Sequence, residues 1–103
     1  AVLVAYDNKE HTDVKNNLAL GEDGRVILYQ KDGVDARLSH VEAGVTALRK
    51  SALEAMPRDQ AFGLEGTLFP GLIKDGRLGS LSTQTRFYDI GTPSRLAERR
   101  RLL

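Results

Sequence analysis

Ala1-Val2-Leu3-Val4-Ala5-Tyr6 opens the sequence, and Asp7-Asn8-Lys9-Glu10 follows it directly. An unbroken apolar run closed by a polar, turn-like stretch suits a strand buried on both faces, since a half-exposed strand alternates apolar and polar positions. Strands of this kind belong to sheets that helices cover, so the expected class is α/β. A domain seldom begins inside its own core, and the start reads as a cut within a sheet, with something preceding it in a parent protein.

Working outward, Asn17-Leu18-Ala19-Leu20 and Arg25-Val26-Ile27-Leu28-Tyr29 flank Gly21-Glu22-Asp23-Gly24. An Asp-Gly pair between two strand-like runs marks a tight turn, because both residues tolerate positive φ, and a β-hairpin is expected over residues 14–30. Residues 31–39 are polar, contain Asp32-Gly33 and read as a loop; Val41-Glu42-Ala43-Gly44-Val45-Thr46-Ala47-Leu48 returns to strand chemistry. Gly44 has no side chain to pack there, so it marks a bulge or a place where a ligand or another backbone comes close.

Ser51-Ala52-Leu53-Glu54 fits a capping box and predicts a short helix that runs to Met56 and stops before Pro57. Leu64, Leu68, Leu72 and Ile73 recur at helical spacing, and Gly76 suits a left-handed C-cap. Pro70 falls inside that pattern and lacks an N–H, so the helix should start near Thr67 or kink. Strands are expected over residues 78–83 and 86–90, then a final helix to residue 103 with Thr92 as N-cap and Pro93 at its first position. No internal repeat is present.

The 103 residues carry 15 Lys and Arg against 14 Asp and Glu, a net charge of +1, with 41% hydrophobic residues and no cysteine. A near-neutral chain has no global field to gather a polyanion, and no apolar run approaches the roughly 20 residues of a bilayer span. Nucleic acid and membrane are therefore poor partners. Zero cysteines remove disulfides, thiolate nucleophiles and Cys-ligated zinc, and residues 1–6 lack the basic flank and length of a secretory signal, so a cytoplasmic address is expected. Only three Phe and three Tyr are present, which leaves most of the core to aliphatic side chains.

Arg99-Arg100-Arg101 is the most conspicuous charge run, but cations are favoured at a helix C-terminus without any ligand. A nucleic-acid reading of that tail would demand steep salt dependence, at odds with the overall charge. His11 and His40 have no metal-ligand spacing and read as structural or exposed. Ser80, Ser82 and Thr83 lack the glycine elbow of a hydrolase nucleophile. Asp89 follows Phe87-Tyr88 and precedes Ile90-Gly91, which presents a carboxylate at a strand end, where α/β sheets place ligands. Such a carboxylate either satisfies backbone N–H groups in the turn or serves as an oxygen ligand for a hard cation such as Mg²⁺.

Asp89-Ile90-Gly91-Thr92-Pro93 resembles the D-I-G-T-P signature late in the nucleotidyltransferase domain of the sugar-1-phosphate nucleotidylyltransferases, with Phe87 where many members carry Trp. Other segments follow the order of that family. Gly24-Arg25-Val26 with Tyr29-Gln30-Lys31 is similar to its D-G-R-V and E-K-P stretch, Glu42-Ala43-Gly44-Val45 to N-A-G-I/V, and Phe62-Gly63-Leu64-Glu65 with Leu68-Phe69-Pro70-Gly71-Leu72 to F-S-L-E-x-D-x-F-P-x-L. Pro93 and the residues after it are similar to the closing helix. The likeness covers nearly the whole sequence, but only the C-terminal part of such a domain: the glycine-rich phosphate loop and the G-D motif have no counterpart.

The resemblance implies a fragment of a Rossmann-like mixed-sheet nucleotidyltransferase domain, with a β-hairpin and short flanking helices. It implies that Lys31 meets the sugar phosphate as the catalytic cation, and that Asp89 holds Mg²⁺ together with the absent G-D aspartate. Glu42, Ala43 and Gly44 are implied to meet the sugar, while Glu65 is a sugar contact or a structural one. Three positions depart from the pattern: Gln30 stands where Glu is usual, Asp32 where Pro is usual, and Glu42 where Asn is common. The implied partners are a sugar-1-phosphate and a nucleoside triphosphate in an intact parent, with the preceding part of the domain or a second copy covering the sheet. A fragment without the phosphate loop is expected to be inactive alone; the rival expectation is a non-catalytic sugar-phosphate-binding or regulatory module.

Overall fold

The computed structural model describes residues 1–9, 14–54, 56–88 and 90–101. Its elements in chain order are β1 (Val2–Tyr6), β2 (Leu18–Leu20), β3 (Val26–Tyr29), β4 (Val41–Ala47), a one-turn 3-10 helix (Lys50–Leu53), α1 (Leu64–Thr67), α2 (Phe69–Lys74), β5 (Gly79–Thr83) and α3 (Pro93–Arg101). The protein is a small α/β protein with a mixed sheet.

The opening run forms β1 at the centre of a three-stranded sheet ordered β4-β1-β5, with β4 antiparallel and β5 parallel to it. β2 and β3 form the antiparallel hairpin expected around Asp23-Gly24, where Gly24 adopts φ +80°. Its turn closes through the Gly24 N–H on the Gly21 carbonyl at 3.0 Å, and Asp23 Oδ1 accepts from Arg25 N at 3.0 Å. The hairpin joins the sheet at two places: Val26 N donates to Leu78 O at 2.8 Å, and Leu18 exchanges backbone hydrogen bonds with His40 at 3.0 and 3.1 Å.

Alternation along β1 sorts the side chains onto the two faces of the sheet. Leu3 and Ala5 point into a core made with Leu18, Val26, Leu68, Phe69, Leu72 and Leu78, so the hairpin and α2 cover one face. Tyr29 meets Phe69 edge to face with centroids 5.6 Å apart. On the other face Tyr6 is fully buried and packs edge-on against Phe87 at 5.7 Å. Val4 and Leu81 pair there, Val2 opposes Ala47, and Val45 lies one repeat away; Val2, Val45 and Leu81 are 48%, 61% and 62% exposed. The radius of gyration, 14.7 Å, exceeds the roughly 13 Å of a fully compacted chain of this length.

The helical segment bends where expected. α1 ends at Thr67, Leu68 takes φ −94°, and α2 restarts with Pro70 in its first turn, where the missing N–H removes no bond. α2 closes with a Schellman motif: Gly76 N donates to Ile73 O at 3.1 Å and Arg77 N to Leu72 O at 2.8 Å, with Gly76 at φ +66°. Thr92 caps α3 as expected, its Oγ1 accepting from Arg95 N at 3.3 Å.

Two expected elements differ. The capping box does not form: Arg49 precedes the turn, no side chain caps it, and its bonds are of the i to i+3 type, as in Ala52 N to Arg49 O at 3.0 Å. Pro57 biases Met56 away from helical backbone, and the stretch before it is too short to offset helix nucleation. The strand expected over 86–90 is also absent among the described residues, since Arg86, Phe87 and Tyr88 are irregular. Their side chains instead pack across the end of β1 and against α3, which buries apolar area without a ladder partner. Residues 10–13, 102 and 103 lie outside the described residues, as do His11 and the last residues of the expected final helix. No helix among the described residues is long and apolar enough to cross a membrane.

Candidate functional site

β4 is irregular where the sequence placed a glycine. Its register on β1 slips between Leu3 and Ala5, so Leu3 pairs with Thr46 but Ala5 with Glu42. Gly44 sits in this bulge at φ +81°, a conformation that other residues adopt only with strain. Of the two readings of Gly44, the bulge is therefore realised. The Glu42 carboxylate folds back and accepts from Gly44 N at 2.6 Å, and Asn17 Oδ1 accepts from Glu42 N at 2.9 Å.

Two clefts open beside the bulge. One, of about 210 Å³, is lined by Glu42, Gly44 and Thr46 from β4, Leu64 and Glu65 from α1, and Phe69. Glu65 on α1 faces Glu42, Gly44 and Thr46 of β4 across this cleft. The second, of about 410 Å³, lies between Glu42, Ala43 and Gly44 on one side and Phe87, Tyr88 and Ile90 on the other, with Val14 at its edge. Glu42 and Gly44 belong to both. Apolar walls with a few convergent polar groups are the usual make-up of a small-molecule site.

The charges agree with that geometry. Burial pushes the Glu42 carboxyl above its ordinary value, the Gly44 N–H opposes the shift, and the Glu65 charge adds to it. Burial also raises Tyr29, helped by the charges of Glu65, Glu42 and Asp32. The smaller cleft thus combines the Glu42 and Glu65 carboxylates, which accept hydrogen bonds, with the Thr46 hydroxyl, which can also donate one, a set suited to a polyhydroxylated ligand. At the rim, the guanidinium carbons of Arg86 and Arg99 lie 4.7 and 5.3 Å from the Tyr88 ring centroid. Arg86 also pairs with Glu98 at 2.8 Å, and this ties α3 to the segment before it.

Of the residues singled out from sequence, Glu42, Ala43, Gly44 and Glu65 come together around these clefts. Lys31 does not line either one; it is exposed in the turn after β3. Asp89 lies outside the described residues, though both of its chain neighbours, Tyr88 and Ile90, line the larger cleft. Among the described residues no group of three or more His, Asp or Glu is gathered for a metal ion.

A third cleft, of about 350 Å³, was not anticipated. Asp7, Lys9, His40, Ser82, Thr83 and Gln84 line it at the C-terminal ends of the parallel strands β1 and β5. The rule that drew attention to Asp89, a polar group just beyond a strand end, applies equally to Asp7. Burial lowers the His40 pKa, the Asp7 charge resists that shift, and Ser39 Oγ lies 2.6 Å from His40 Nδ1. No protein-family model matches this sequence, and no curated protein aligns with it significantly.

Proposed function

We propose that this protein is the sugar-binding, C-terminal part of a Rossmann-like nucleotidyltransferase domain that joins a sugar-1-phosphate to a nucleoside triphosphate. The observation that carries this reading is the meeting of Glu42, Gly44 and Glu65 in one cleft, since these residues lie in separate motifs of the resemblance. In the proposed reaction a sugar-phosphate oxygen attacks the α-phosphorus, a new P–O bond forms, and the bond to the leaving pyrophosphate breaks. Glu42 and Glu65 accept hydroxyl hydrogens of the sugar, and Gly44 leaves room for the ring. Lys31, exposed in the turn after β3 and outside both clefts, would have to swing toward the phosphate to act as a neutralising cation. Asp89 would hold Mg²⁺ with a carboxylate from a preceding segment, and the ion would supply further charge neutralisation when bound.

The nucleotide-holding loop would come from that preceding segment, which would also cover the open face of the sheet, or a second copy would cover it. A cytoplasmic address fits the nucleotide substrate and the cysteine-free composition. A non-catalytic sugar-phosphate-binding or regulatory module is the second reading, one that needs only the cleft shared by Glu42, Gly44 and Glu65.

The test is a titration of the ¹⁵N-labelled protein with glucose 1-phosphate and a panel of other sugar-1-phosphates, followed by pyrophosphate release from the parent polypeptide with nucleoside triphosphate and Mg²⁺. The expected result is saturable shifts at Gly44, Glu65 and Phe87, weakened by Glu65→Gln, and sugar-dependent pyrophosphate release. Binding without release in the parent would support the non-catalytic module. A folded protein that responds to no sugar phosphate at millimolar concentration would overturn both readings.

A further inference from the structure

We infer that Asn17 is a positioning residue that fixes the lysine-bearing turn and the Glu42–Gly44 bulge relative to each other; the ligand arm of its test rests on the sugar-phosphate reading. Asn17 engages two separate segments through three hydrogen bonds. Its N–H donates to His40 O at 2.9 Å, its carbonyl accepts from Gln30 N at 2.9 Å, and its side-chain Oδ1 accepts from Glu42 N at 2.9 Å. Gln30 immediately precedes Lys31, while His40 and Glu42 flank Val41 at the start of β4.

Residues 31–39 therefore leave Asn17 at one end and return to it at the other. That loop carries exposed residues along most of its length, and its internal ties are short-range, such as Arg37 with Asp35 at 2.9 Å. Movement of the loop need not move its ends while Asn17 holds both. The side-chain bond has a distinct consequence. It directs the Glu42 amide at Asn17, and the Glu42 carboxylate then turns onto Gly44 N at 2.6 Å, in the backbone conformation that opens both clefts. A short side-chain acceptor just before β2 thus sets the shape of a cleft on β4, with no atom of Asn17 lining that cleft.

Asn17→Ala removes the acceptor from the Glu42 amide, whereas Asn17→Asp keeps an oxygen in the same place. Asn16→Ala is the matched control, because Asn16 accepts from Asn8 Nδ2 at 2.8 Å and reaches the Leu38 carbonyl at 3.5 Å, away from Glu42. The readouts are amide hydrogen exchange at Glu42 and Gly44 and the affinity for glucose 1-phosphate. Asn17→Ala is expected to raise exchange at Glu42 about tenfold beyond the change at distant core amides and to weaken binding about tenfold. Asn17→Asp is expected to restore the protection, and Asn16→Ala to leave the ratio of Glu42 to core exchange unchanged. Should Asn17→Ala not fold, Asn17→Ser, whose hydroxyl is one atom too short, must show the same selective loss. Unchanged protection at Glu42, or equal losses in the Asn17 and Asn16 variants, would overturn the inference. Should the unsubstituted protein bind no sugar-1-phosphate of the panel, the functional reading fails while the exchange arm still decides the role of Asn17.

Discussion

Gly44→Ala isolates backbone strain from steric conflict. A Cβ built on Gly44 meets no atom within 4 Å, yet the residue sits at φ +81°. The loss on substitution is therefore conformational, about 1–2 kcal/mol for an L-residue held in left-handed backbone. With a urea slope of about 1–3 kcal/mol per molar for a small domain, the unfolding midpoint should fall by roughly 0.3–2 M with the slope unchanged. Asn tolerates this region better, so Gly44→Asn should lose about half as much. Gly33 supplies the contrast: its φ is not positive, but an added Cβ overlaps the Leu38 side chain and comes within 2.7 Å of Gln30 Cβ. Gly33→Ala should accordingly couple favourably with Leu38→Ala in a double-mutant cycle, while no neighbour truncation rescues Gly44→Ala. The open space at Gly44 is the cleft itself, so the new methyl should also weaken sugar-phosphate binding. Equal stability of the Gly44 alanine variant and the parent, or identical losses for Ala and Asn, would refute the strain account.

Phe69→Ala removes a fully buried ring that contacts Tyr29, and should lower stability by about 3–5 kcal/mol in urea unfolding, close to the whole margin of a marginal domain. Glu42 has a folded pKa raised above its unfolded value, so the stability linked to its protonated form is complete below the unfolded pKa and is lost as pH rises through the folded one. Glu42→Gln should thus raise the urea midpoint relative to the parent near neutral pH and leave it nearly unchanged in the acid range. Asp35 is held at about 2 by hydrogen bonds from Arg37, so its stabilising ionised form persists above the ordinary value of 3.8 and is lost as pH falls toward 2. A ¹³C carboxyl titration should show this, with Arg37→Gln raising Asp35 only part of the way, since the residue 37 N–H still donates to its Oδ1.

Local chemistry explains which parts of the fold could be read in advance. The hairpin turn at Asp23-Gly24, the break before Pro70, the left-handed Gly76 and the Thr92 cap each follow from one residue's backbone preference, and each is present. The failures lie where two local signals compete or where the fold supplies the partner. Ser51-Ala52-Leu53-Glu54 has the residues of a capping box, but Pro57 leaves too little chain to propagate a helix. Arg86-Phe87-Tyr88 has strand propensity, yet Tyr6 and α3 offer burial that needs no ladder. The grouping of Glu42, Gly44 and Glu65 was implied by resemblance, but the role of Asn17 depends on a long-range side-chain bond that no periodicity encodes. The cleft at Asp7 and His40 depends on which strand ends lie side by side, and that is a property of the sheet order β4-β1-β5.

The same sheet order makes a further prediction about association. Parallel strands are ordinarily covered on both faces, and here the hairpin and α2 cover one face of β1 while Phe87 shields only the Tyr6 end of the other. Val2, Val45 and Leu81 are left as an apolar strip across three adjacent strands. Burying the exposed half of each such side chain contributes about 1 kcal/mol. In a symmetric pair each counts twice, so Val45→Thr with Leu81→Thr should weaken self-association on the order of a hundredfold or more. Sedimentation across a dilution series reads that change, and thermal unfolding in dilute solution should be little altered because neither side chain enters the core cluster. A preceding segment that already covers the strip would make the longer polypeptide monomeric and insensitive to both substitutions. An isolated protein that stays monomeric at every concentration and binds no apolar dye would show instead that three strands and one covered face suffice, and that the strip has no partner to find.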